Sequence, residues 1–176
     1  DLTITDLLVF ALARALAEVP DLNGMRRADG SVERSAAVHL CLAVATPGGV
    51  LAPVVHDAGT RSLEGVAQER RRLVEAARLG TSDGRDLVGG TCTLSNLGAY
   101  PVDFFAPVVS GPQVAMVATG RVAERVVADG GLFAVRPRMW VNVAVDHRAA
   151  DGEAGGRLLA ALERQAWLAV HVDEVE

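Results

Sequence analysis

The sequence predicts a fold of the α/β (α+β) class, a two-layer sandwich in which a mixed sheet packs against helices. Three observations point there. Stretches 3–19, 62–79 and 152–170 carry apolar residues at helical spacing. Between them lie short apolar or alternating runs, bounded by turns that contain glycine or proline. The chain has 176 residues, half of them apolar, which suits one domain with a sizeable core.

The first helix is expected over 3–19, capped by Thr3 or Thr5 and ended by Pro20. Residues 38–45 and 50–55 read as strands joined by a tight turn at Thr46-Pro47-Gly48-Gly49. The second helix, over 62–79, has Ser62 as its N-cap. Leu63, Val66, Leu73, Ala76 and Ala77 form its apolar stripe, and Gly80 stops it. Its Glu69-Arg70-Arg71-Arg72 run reads as a solvated face. In 91–95, Thr91, Thr93 and Ser95 alternate with Cys92 and Leu94, as a strand requires, and Asn96-Leu97-Gly98 forms its exit loop. Residues 114–127 and 132–145 read as two long strands joined by a turn at Asp129-Gly130-Gly131. The last helix runs from Gly152 to about Val170.

Composition narrows the chemistry. A net charge of −5 and a pI near 5.4 argue against a nucleic-acid-binding surface. All 17 basic residues are arginine. This excludes a Schiff-base lysine, and a lipoyl-lysine, within this stretch. Cys41 and Cys92 sit in apolar runs and read as reduced core residues. No apolar run has the length of a membrane span and no signal-peptide pattern is present, so a cytoplasmic protein without membrane partners is expected. His39 and His56 have no paired ligand at metal-binding spacing, so no metal is expected.

Two stretches carry chemistry. In Val145-Asp146-His147-Arg148-Ala149-Ala150-Asp151-Gly152, a histidine stands where a core strand ends and an aspartate stands where a helix begins. The second stretch, Gly89-Gly90-Thr91-Cys92-Thr93-Leu94-Ser95-Asn96-Leu97-Gly98, presents Ser95 near the end of its strand. Alone, Asp151 reads as a helix cap and Ser95 as a structural hydroxyl. Together they resemble the Asp-His-Arg-x-x-Asp-Gly and Gly-Gly-Thr-Phe-Thr-Ile-Ser-Asn-Leu-Gly motifs of the dihydrolipoyl acyltransferase catalytic domains. These are the acyl-transferring cores of the 2-oxoacid dehydrogenase complexes, and they share the chloramphenicol-acetyltransferase-like fold. Val19-Pro20-Asp21-Leu22-Asn23, the run 42–54 and 104–113 extend the likeness over nearly the whole chain. Cys92 stands where the family usually has phenylalanine, and Ser110-Gly111 where many members have Asn-Pro or Pro-Pro.

The resemblance implies an acyltransferase that uses coenzyme A or acetyl-CoA as substrate and needs no tightly bound cofactor. His147 would be the general base and Ser95 the donor to the oxyanion. Asp151 would fix the loop by pairing with a basic residue. Asn96 and Arg148 are the candidate substrate-binding residues. The family site lies between subunits of a homotrimer or a multiple of trimers, His147 of one chain facing Ser95 of the next. The family core also has upstream elements that this stretch lacks, so residues 1–176 are expected to be an N-terminally truncated catalytic domain. Because no lysine is present, the sequence leans to a stand-alone O-acetyltransferase acting on a small-molecule hydroxyl, such as a tetronate-type natural-product intermediate. The alternatives are a dihydrolipoyl acyltransferase core, with a lipoyl domain as acceptor, and a non-catalytic trimeric scaffold. A serine–histidine–aspartate hydrolase is a further rival, but the chain lacks a Gly-x-Ser-x-Gly elbow.

Overall fold

Thr3 opens the first helix, α1 (Ile4–Glu18), with a capping box. Its hydroxyl accepts from the Asp6 amide, and its own amide donates to the Asp6 carboxylate. Pro20 follows directly and starts a short 3-10 turn. The structure, a computed structural model, describes residues 2–170. After α1 come β1 (Gly24–Arg26), β2 (Val32–Arg34), β3 (Leu40–Leu42), β4 (Val44–Thr46), β5 (Gly49–Leu51) and β6 (Val54–Val55). Helix α2 (Leu63–Leu79) precedes β7 (Cys92–Asn96), β8 (Ala115–Thr119), β9 (Ala123–Asp129), β10 (Leu132–Arg138) and β11 (Val141–Val145). Helix α3 (Gly152–Val170) closes the described chain.

The central sheet has five strands in the order β11-β8-β7-β3-β6. β3, β7 and β8 run parallel, and the edge strands β6 and β11 run antiparallel to them. The two faces of this sheet differ. Leu40, Leu42, Cys92, Leu94, Ala115 and Val117 point to one face and join Leu12, Leu16 and Leu158 of the helices in one apolar core. Each fully buried leucine there contributes on the order of 2 kcal/mol by leaving water. Cys41, Thr93, Ser95 and Ala118 alternate with them and point to the other face. α3 lies close on β11: a Cβ at Gly155 would sit 3.3 Å from Val143 and 3.5 Å from Val145.

The mixed two-layer architecture and all three helices match the sequence reading, with Ser62 and Gly80 as the caps of α2. Three expectations need correction. The first is the pair of long strands: 114–127 and 132–145 each split in two. β8 and β11 stay in the sheet, while β9 and β10 leave it as a separate two-stranded ribbon. The break falls at Gly120, where a Cβ would lie 1.9 Å from the Asp103 carbonyl oxygen, so the loop before β8 passes too close for any side chain. The second is the run 38–55, which resolves into four short strands, with β4 and β5 paired as a hairpin outside the main sheet. The third is the arginine run of α2, which is not simply solvated. Arg70 donates to the buried Asp6 at 2.5 Å, and Arg72 to Asp86 at 2.8 and 3.0 Å. The β1–β2 hairpin had no counterpart in the sequence reading. Cys41 and Cys92 are both buried and unbridged, and burial pushes the Cys92 thiol up to about 12.

Candidate active site

Ser95 occupies the next-to-last position of β7 on the face turned away from the helices, and is half-buried. It lines a cleft of about 600 Å³ whose walls include Thr5, Leu42, Val74, Arg78 and Tyr100. The strand end is held from both sides. The Asn96 carboxamide donates to the Thr5 hydroxyl at 3.1 Å and accepts from the Gly98 amide at 2.7 Å. The Leu97 amide donates to the Thr119 carbonyl at 3.0 Å. Asn96, expected as a substrate-binding residue, thus spends its side chain tying β7 to α1 and to its own exit loop. It borders the cleft as well.

His147 follows β11 by two residues and is exposed. Among the described residues, no hydrogen bond or ion pair holds its ring. Its backbone, by contrast, is anchored by Asp146. The Asp146 amide donates to the Val114 carbonyl at 2.8 Å, and its own carbonyl accepts from the amides of Ala149 and Ala150. Its carboxylate accepts from Arg148 at the backbone amide, at Nε and at the terminal nitrogen, and it faces Arg26 Nε at 3.5 Å. Those hydrogen bonds from Arg148, joined by the attraction of both guanidinium groups, hold the Asp146 carboxyl well below the usual carboxylate range. Arg148, a candidate for substrate binding, is folded back onto Asp146. Asp151 accepts from the Ala154 amide at 3.0 Å and caps α3; among the described residues it makes no ion pair. The expected pairing with a basic residue therefore falls to Asp146. The sequence reading missed this anchor. The Asp146–Arg148 half has a local signal in its two-residue spacing, whereas Arg26 lies far away in the chain.

The strand register sets the distance between the two candidate residues. Ser95 pairs with Ala118, and Ala118 pairs with Asn142. His147 lies five residues beyond Asn142, so roughly 16 Å separates them along the strands, and about 10 Å more lies across the sheet. Ser95 stands at the edge where β7 and β8 end. His147 stands at the opposite edge, where β11 ends beside the start of β8. One protomer cannot bring the two side chains together. The other two histidines lie elsewhere, with ring centroids 5.2 Å apart; His39 Nδ1 accepts from the Asp57 amide, and His56 Nε2 lies 3.1 Å from the Arg85 carbonyl.

Comparison with known proteins identifies the family. A lipoamide acyltransferase component of the branched-chain alpha-keto acid dehydrogenase complex from Pseudomonas aeruginosa is 40% identical over 154 residues. That match covers 86% of this chain and 36% of the relative. A dihydrolipoyllysine-residue acetyltransferase component of the pyruvate dehydrogenase complex from Rhizobium meliloti is 34% identical over 163 residues, covering 93% of this chain and 36% of the relative. The chain thus spans little more than a third of the length of these relatives. Among solved structures, the dihydrolipoamide acetyltransferase of Azotobacter vinelandii superimposes with a TM-score of 0.89 at 32% identity, over 97% of this chain and 70% of that one. It was solved to examine the role of a serine, a histidine and an asparagine in the catalytic mechanism. A chloramphenicol acetyltransferase superimposes with a TM-score of 0.60 at 15% identity, over 93% of this chain and 78% of that one, a likeness of fold alone. The family model described as 2-oxoacid dehydrogenases acyltransferase (catalytic domain) matches residues 1–166, so the chain belongs to that family.

Proposed function

We propose that this chain is the acyl-transferring core of a dihydrolipoyl acyltransferase, moving an acyl group between coenzyme A and a dihydrolipoyl arm at a site shared by neighbouring copies. The observation that carries this reading is the placement of Ser95 and His147 at opposite edges of one sheet. A contact that brings one edge of a chain to the other edge of the next is head-to-tail, and repeated it closes into a ring. The expected homotrimer is such a ring. The serine and histidine investigated in the Azotobacter vinelandii enzyme are separated by the same number of residues as Ser95 and His147. Its asparagine follows the histidine as Asp151 follows His147. At that position an aspartate accepts the helix-capping bond equally well.

In the shared site, His147 takes the proton from the acceptor thiol. The thiolate attacks the thioester carbonyl carbon, and the carbonyl oxygen becomes an oxyanion that accepts a hydrogen bond from the Ser95 hydroxyl. The intermediate collapses, the carbon–sulfur bond to the leaving thiol breaks, and the imidazolium returns its proton to that thiolate. No atom is left over.

The sequence leaned instead to a stand-alone O-acetyltransferase because the chain has no lysine to carry a lipoyl arm. That argument fails on coverage. The relatives with a lipoamide or dihydrolipoyl name are matched over 36% of their length, so a lysine-free stretch says nothing about the remainder. The two acceptors are separated by assaying purified protein with acetyl-CoA and isobutyryl-CoA against dihydrolipoamide and against a small-molecule alcohol. Release of free coenzyme A with dihydrolipoamide alone is expected. Transfer to the alcohol, with none to the dithiol, would return the reading to an O-acetyltransferase.

A further inference from the structure

The cleft beside Ser95 has mostly apolar walls, with Leu42, Val44, Val50 and Val74 among them. A cleft of this kind recognises its ligand through the few polar groups that remain free to bond it. Most of its polar side chains are already spent inside the protein. The Thr3 hydroxyl donates to the Asp6 carboxylate at 2.7 Å, and Arg70 donates to the same carboxylate. The Asn96 carboxamide donates to Thr5 and accepts from the Gly98 amide. Arg78 and Tyr100 are exposed. Two half-buried hydroxyls are left, those of Ser95 and Thr5.

Thr5 is the second residue of α1. Its oxygen accepts from Asn96 Nδ2 at 3.1 Å, and among the described residues its proton has no acceptor. A hydroxyl that accepts a hydrogen bond still has one proton to donate, and in an apolar cleft that proton gains most from a carbonyl oxygen on the ligand. Asn96 follows Ser95 directly in β7, so bond lengths along the path from Thr5 cap the separation of the two hydroxyls at roughly 13 Å. A ligand that satisfies both carries two carbonyl oxygens within that span. One becomes the oxyanion at Ser95. Both thiols of the proposed reaction carry an amide on their arm, and the amide supplies the other. In extended chains the amide carbonyl lies ~6 Å from the thioester carbonyl of acetyl-CoA and ~11 Å from that of an S-acyl dihydrolipoamide, so both fit under the cap.

We propose that Thr5 is a substrate-binding residue whose hydroxyl donates to the amide carbonyl of the thiol arm held at Ser95. The inference rests on the acyl-transfer reading above and adds a second point of attachment to its site. Asn96 couples the two donors, because the side chain that meets Thr5 belongs to the residue next to the serine. Thr5 then sets the affinity for the arm, while Ser95 acts on the reacting carbonyl.

The test is steady-state kinetics and calorimetric binding with the full-length parent, Thr5→Val and Thr5→Ser. Acetyl-CoA is the donor, and the acceptors are dihydrolipoamide and propane-1,3-dithiol, which has two thiols but no amide. Thr5→Val keeps the size of the side chain and loses the donor. It should raise the KM for one amide-bearing substrate by roughly three- to tenfold, and leave the KM for propanedithiol at the parental value. A rise for dihydrolipoamide assigns Thr5 to the lipoyl arm, and a rise for acetyl-CoA assigns it to the coenzyme arm. Thr5→Ser should restore the parental KM. Valine also deprives Asn96 Nδ2 of its acceptor, so a merely structural role would lower kcat alike with both acceptors and move no KM. A folded Thr5→Val variant with that behaviour overturns the inference, and so does an equal rise in the KM for propanedithiol. Calorimetric affinities of the same variants for coenzyme A and dihydrolipoamide read Thr5 without turnover. A parent that transfers nothing to either dithiol therefore sinks the acyl-transfer reading while the role of Thr5 is still decided.

Discussion

The two edges of the central sheet hold their chemistry in opposite ways. At the Ser95 edge the protomer does the positioning itself. Asn96 is tied to α1, the serine is half-buried, and a cleft of about 600 Å³ stands ready beside it. At the His147 edge the backbone is fixed by Asp146, but the ring is exposed and, among the described residues, no hydrogen bond or ion pair holds it. A general base needs its ring oriented as well as its backbone placed. Under the proposed shared site, a neighbouring copy supplies the orientation that the protomer leaves out.

The strongest way to break this comparison is His147→Ala. It should lower acyl transfer by about 10²–10⁴-fold while leaving the fold and the sedimentation unchanged, because the exposed ring supports no packing. Transfer at the parent rate would remove His147 from the reaction. Ser95→Ala should cost somewhat less, ~10²–10³ in turnover, with the substrate KM little changed, since an oxyanion donor acts chiefly in the transition state. Combining the two variants sharpens the contrast. Co-expressed in equal amounts, they should regain about a quarter of the parental activity, because one in four interfaces pairs an intact histidine with an intact serine. A site within one protomer would regain nothing.

Asp146→Asn keeps the shape of the anchor but loses its charge, so Arg26 and Arg148 release the loop. We expect a turnover loss of about tenfold, with only a small fall in the midpoint of thermal unfolding, since Arg148 is exposed and Arg26 partly so. A parental turnover number would show that the loop holds without the carboxylate. Asp6→Asn tests the opposite kind of anchor. Burial alone would raise the Asp6 carboxyl, but hydrogen bonds from Arg70 and Thr3, with the guanidinium charge, lower it overall. Its contribution to stability is therefore complete above the unfolded carboxylate pKa, near ~4, and fades as pH falls through the lower folded value. The variant should lose about 3 kcal/mol at neutral pH by stranding a largely buried Arg70, and its stability should depend less on acid than the parent's. Urea titrations at neutral and acidic pH check both; equal losses at the two values would remove Asp6 as a contributor to acid lability.

Much of this was legible before any coordinates. Thr3, Ser62 and Gly80 announced their helix boundaries because capping is local chemistry, set within three or four residues. The alternation of Cys92 and Leu94 with Thr93 and Ser95 told which side chains share a face, since that follows from the pleat alone. The ribbon was not legible. Val114–Val127 has one unbroken strand-like pattern, and the bend at Gly120 comes from the approach of the Asp103 backbone, which no local pattern records. The arginines of α2 misled for a related reason: Arg70 looks like any exposed helix residue until α1 brings Asp6 to it.

The sequence by itself determined the three helices, the family likeness and the candidate pair Ser95 and His147, because periodicity, caps and motif spacing are written along the chain. The tertiary structure decided where those residues stand. Strand order and register place the serine and histidine at opposite edges of one sheet. The Asp146 carboxylate is matched to an arginine far away in sequence, and a two-stranded ribbon is lifted off the sheet at the serine's edge. Such pairings depend on which strands become neighbours, and a linear pattern holds no record of that until the core has closed.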